Sequence, residues 1–64
     1  MSMITYSHLS IKELIILLDT NSWQLQSAIK EENAFWNRHF NSQVIIPHTD
    51  GYLVDDRIIK EVII

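Results

Sequence analysis

The sequence predicts a small α+β domain, mostly helical, and three observations carry that prediction. A Ser10–Glu13 capping box opens an apolar run at helical spacing. A second helical run, polar on most sides, follows after a four-residue break. An Asp50-Gly51 pair then stands between two β-branched runs, as in a hairpin. Sixty-four residues with 47% hydrophobic and 20% charged side chains allow one domain and exclude a disordered or fibrous chain. Residues 1–8 carry no periodic signal and read as an N-terminal arm; 9–64 read as the folded domain.

Each element has its own signal. At the first helix, the Ser10 hydroxyl can accept from the Glu13 amide while the Glu13 carboxylate reaches back to Ser10. Ile11, Leu14, Ile15 and Leu18 recur on one face, which sets the helix over 11–18. Asp19-Thr20-Asn21-Ser22 then collects four turn-forming residues, and Asn21 or Ser22 suits the cap of a second helix. Leu25, Ala28 and Ile29 form that helix's narrow apolar stripe. Phe35, Trp36, His39 and Phe40 predict a short third helix or helical turn, ended by Asn41-Ser42. Gln43 to Ile46 reads as a strand closed by Pro47, and Tyr52 to Val54 as its return. Asp55 suits the cap of a last element, in which Ile58, Ile59, Val62 and Ile63 keep helical spacing although their branching also allows a strand.

Helix, turn, helix, hairpin, helix is the order of a small winged helix-turn-helix, and the residues resemble the excisionase-like and MerR-like DNA-binding domains. Three segments carry the resemblance: Leu9-Ser10-Ile11-Lys12-Glu13-Leu14 with the following apolar helix, Asn21 to Lys30, and Tyr52-Leu53-Val54-Asp55-Asp56-Arg57-Ile58-Ile59. The resemblance implies a DNA-binding regulatory or accessory protein. Its second helix would enter the major groove of double-stranded DNA with Ser22, Trp23, Gln24, Gln26, Ser27 and Lys30, and the wing would add His48 and Thr49. Glutamine can pair with adenine in a bidentate manner, and lysine can meet phosphate or guanine.

Charge qualifies that expectation. Five Lys and Arg against eight Asp and Glu give a net charge of −3. Neutralised phosphates supply most non-specific DNA affinity. Binding by one copy is therefore expected to be weak, and oligomerisation or cooperative binding to supply the rest. A competing expectation is an acidic protein-interaction module, an inhibitor or anti-repressor of a DNA-binding partner. Four large aromatics, Trp23, Phe35, Trp36 and Phe40, exceed the evident needs of so small a core. At least two are expected to pack inside. With an Ile-rich end, they place a self-association or partner surface at Trp36, Phe40, Ile59, Ile63 and Ile64.

Other function classes find no support. His8, His39 and His48 lie on different elements without metal-ligand spacing, and there is no cysteine. No phosphate loop or nucleophile elbow occurs, so neither an enzyme nor a cofactor is expected. The longest clean apolar run, Leu14 to Leu18, is far short of the roughly 20 residues a membrane span needs. Without a basic, apolar leader or a polybasic cluster, the expectation is a cytoplasmic protein that does not bind membranes.

Overall fold

The computed structural model describes the backbone of residues 4–63 and the side chains of 4–60. Along the chain run β1 (Tyr6–Ser10), α1 (Ile11–Leu18), α2 (Leu25–Phe40), β2 (Ile45–His48), β3 (Gly51–Asp55) and α3 (Asp56–Ile63). The strands make one antiparallel sheet in the order β1-β3-β2, with β3 in the centre. Val54 faces Ser7 on one side and Ile45 on the other, and Tyr52 likewise lies between Leu9 and Pro47. Opposed residues share a face of the sheet, and this face turns toward the core. There it meets Leu14, Leu25, Ile29, Trp36, Val44 and Ile58.

Helix α1 has the predicted bounds, and its capping box is complete. The Glu13 amide donates to Ser10 Oγ at 3.2 Å and the Ser10 amide to Glu13 Oε1 at 2.8 Å. Asp19 ends the helix in the left-handed region at φ 53°, a conformation that Asp tolerates better than most residues. The hairpin is also present, and the last element is helical. The Asp55 carboxylate caps α3 by accepting from the Arg57 amide at 2.8 Å.

Several expectations need correction. Tyr6 to His8, read as part of an arm, belong to strand β1, so the sheet has three strands instead of two. The strand signal is weak because Tyr6, Ser7, His8 and Ser10 are polar or amphipathic, and the partner lies more than forty residues away. The second helix and the suggested short third helix are one continuous helix of 16 residues. Its N-cap is Gln24, without a side-chain cap bond, and not Asn21 or Ser22. Pro47 lies inside β2, where an outer strand tolerates a missing N–H.

Gly51 serves the hairpin by its lack of a side chain, not by a left-handed backbone. The positive φ belongs to Thr49, at 52°. A Cβ on Gly51 would collide with the Leu9 carbonyl of the neighbouring strand and lie 3.1 Å from the His8 ring.

Candidate nucleic-acid interface

Leu25 and Ile29 are buried, which turns the intervening positions of α2 outward. Ser22, Trp23, Gln24, Gln26, Ser27 and Lys30 are all exposed, Trp23 to 78%. Gln26 Nε2 donates to the Tyr52 hydroxyl at 2.9 Å and so ties the start of α2 to β3 near its hairpin end. The helix surface and the hairpin are thereby held beside each other. That bond uses one donor of Gln26. Gln24 Oε1 accepts from Asn21 Nδ2 at 3.4 Å within the turn. Thr20, Gln24, Ser27, Ala28 and Glu31 line a shallow groove along the same part of α2. Glu31 brings negative charge into it.

At the hairpin tip His48 and Thr49 are exposed. His8 and His48, read as separate in the sequence, meet across the bare Gly51 with ring centroids 6.0 Å apart. His8 Nε2 lies 3.2 Å from the His48 carbonyl, within hydrogen-bond distance for the tautomer that carries its proton there. No group of three or more His, Cys, Asp or Glu side chains among the described residues could hold a metal ion. No described helix is long and apolar enough to cross a membrane.

The segment 22–30 brings a single basic residue, Lys30, to this surface. Arg57 is engaged elsewhere. Its Nη2 donates to Asp55 Oδ2 at 2.7 Å, and its guanidinium carbon lies 5.2 Å from the Trp36 ring centroid. Hydrogen bonding to Asp55 raises the pKa of Arg57 above its ordinary value. Asp55 itself is 1% exposed, and Arg57 satisfies both of its oxygens.

The aromatic residues divide differently from the expectation. Only Trp36 of the four is buried, so it supports the core and the Arg57 stack instead of a partner surface. Phe40, about half exposed, packs on Trp36 with centroids 4.8 Å apart, and Phe35 packs on His39 at 4.5 Å. Ile59 is partly buried against the core. The side chains of Ile63 and Ile64 lie outside the described residues.

Sequence reasoning missed Asn33. Its Oδ1 accepts from the Val44 and Ile45 amides, and its Nδ2 donates to the Ile45 carbonyl, all at 2.9 Å. This side chain fixes the outer strand of the hairpin to α2. Its position four residues after Ile29, on the buried stripe of the helix, was the available signal. Comparison with protein-family models, curated proteins and solved structures finds no match to this chain.

Proposed function

We propose that the chain is a winged helix-turn-helix module that binds double-stranded DNA weakly as a single copy and usefully only in multiple copies. The Gln26–Tyr52 hydrogen bond carries this reading, because it joins the exposed start of α2 and the β2–β3 hairpin into one surface. On that surface Ser22, Gln24, Ser27 and Lys30 offer the groups that phosphates and base edges accept. His48 and Thr49 extend it at the hairpin tip. With Lys30 as its only basic side chain in 22–30, the surface neutralises few phosphates.

Fluorescence anisotropy with mixed-sequence duplex DNA tests the proposal. Weak binding is expected at about 50 mM salt and a clear loss at about 200 mM. Lys30→Glu should abolish it, whereas Lys12→Glu, on α1, should leave most of it. No binding at low salt and high protein concentration would reject the reading for this chain.

A second reading, a protein-interaction module that binds a DNA-binding partner, is favoured by a separate observation. Trp23 is 78% exposed in the turn before α2, and large exposed Trp side chains are enriched at binding hot spots. Under this reading Trp23→Ser removes partner binding while duplex DNA gives no anisotropy change with the parent chain.

A further inference from the structure

The two outer edges of the sheet are finished differently. In an antiparallel sheet the N–H and C=O of one residue point to the same side, and the side alternates along the strand. The Asp55 amide donates to Val44 and the Asp56 amide to the Thr5 carbonyl, which fixes the phase. On β2 the outward residues are therefore Ile45 and Pro47. Asn33 takes both the N–H and the C=O of Ile45, and Pro47 has no N–H to offer. Among the described residues that edge therefore offers no free N–H and only the Pro47 carbonyl.

On β1 the outward residues are Tyr6, His8 and Ser10. Ser10 is occupied, since its N–H donates to Glu13 and it forms the N-cap of α1. Among the described residues nothing takes the outward N–H or C=O of Tyr6 or His8, and both residues are exposed. This strand has no proline and no charged Lys, Asp or Glu, the usual guards of an open edge.

We propose that the open edge of β1 pairs with β1 of a second copy of this chain, antiparallel, across a two-fold axis at Ser7. Tyr6 then faces His8 of the second copy, and each pair exchanges two backbone hydrogen bonds, four in all. Occupied Ser10 prevents extension beyond this register. The two Ser7 residues, small and uncharged, meet at the axis, while the Tyr6 hydroxyl stays on the Gln43 carbonyl and the His8 ring on His48, which leaves the backbone edge clear. The strand itself carries no Lys, Arg, Asp or Glu, and the nearest carboxylate, Asp56, is held by the Ser7 and Thr5 hydroxyls of its own chain, which favours a second copy over an acidic or basic peptide. The product is a six-stranded sheet in the order β2-β3-β1-β1-β3-β2. This pairing stands independently of the DNA-binding reading, because its readout needs no nucleic acid.

Sedimentation equilibrium across a wide concentration range, combined with amide hydrogen exchange, tests the pairing. The parent chain should dimerise, with the Tyr6 and His8 amides protected in the dimer and exchanging freely on dilution. His8→Pro removes an outward N–H from each copy and should weaken the dimer about tenfold or more. His8→Ala keeps that N–H and should still dimerise, as should Phe40→Ser. Circular dichroism checks that His8→Pro remains folded, and the exchange data on the parent chain decide the matter if it does not. A chain that stays monomeric at millimolar concentration, or a dimer whose Tyr6 and His8 amides remain unprotected, would overturn the proposal.

Discussion

Replacing Asn33 by Ala should cost this domain a large share of its stability. The amide side chain makes three hydrogen bonds at 2.9 Å, to the amides of Val44 and Ile45 and to the Ile45 carbonyl. Val44 and Ile45 are both 0% exposed, so the groups it serves are poorly placed to find water. Each backbone group left unsatisfied in such a place costs about 1–3 kcal/mol. The three costs do not simply add, because β2 is an outer strand and can shift toward solvent. A total of about 2–4 kcal/mol is a reasonable expectation. A domain of this size is stable by only about 3–10 kcal/mol. At about 4–8 °C per kcal/mol the midpoint should fall by roughly 8–32 °C. Urea denaturation followed by circular dichroism measures the free energy, with the slope checking that the same surface unfolds. Asn33→Asp keeps the acceptor for both amides but loses the donor to Ile45, and should fall between the parent and Asn33→Ala. A loss below about 0.5 kcal/mol with an unchanged slope would refute the reasoning, because hydrogen bonds to buried amides cannot be that cheap to remove.

Two further outcomes follow from the geometry. Gly51→Ala places a methyl group against the Leu9 carbonyl and the His8 ring, and should destabilise the fold by about 1–3 kcal/mol in thermal melts. A midpoint unchanged from the parent would show that β1 yields freely there. Stability should also decline in acid below about pH 4.5. The backbone and side-chain bonds of Ser10 lower the Glu13 pKa from its ordinary 4.5, and the Ser7 and Thr5 hydroxyls lower that of Asp56 from 3.8. A carboxyl whose folded pKa is depressed stabilises the fold fully above its unfolded pKa and loses that contribution as pH falls through the folded value. Ser7→Ala should flatten the acid limb of a stability-against-pH curve, and an unaltered limb would remove Asp56 from the account.

What the sequence revealed was local. The capping box, the apolar period of 11–18, the Asp50-Gly51 turn and the Asp55 cap each lie within a few residues of the structure they specify. The missed features depend on distant partners. Tyr6, Ser7 and His8 do not alternate in hydrophobicity clearly enough to announce a strand, and only β3 makes them one. The apolar stripe at Leu25, Ala28 and Ile29 and the aromatic run from Phe35 to Phe40 read as two helices. Yet Leu25, Ile29, Asn33 and Trp36 continue one stripe, with Asn33 its single polar member because β2 needs the amide. The exposure of Ser22, Gln24, Gln26, Ser27 and Lys30 agrees with the polar face read from the pattern. The engagement of Gln26 by Tyr52 and of Arg57 by Asp55 could not be read, since each joins separate elements or depends on the start of α3.

The placement of β1 has a kinetic consequence. Its contacts close the longest loop in the described chain: Thr5 and Ser7 reach Asp56 across 51 and 49 residues. The α1–turn–α2 unit and the β2–β3 hairpin need only short closures, which form quickly. Docking of β1 must wait for the long one and bear its entropy. Until then β3 has a vacant side, and β1 of another chain fits it as well as the chain's own. During folding, concentration therefore selects between closure within one molecule and exchange of the first strand between two.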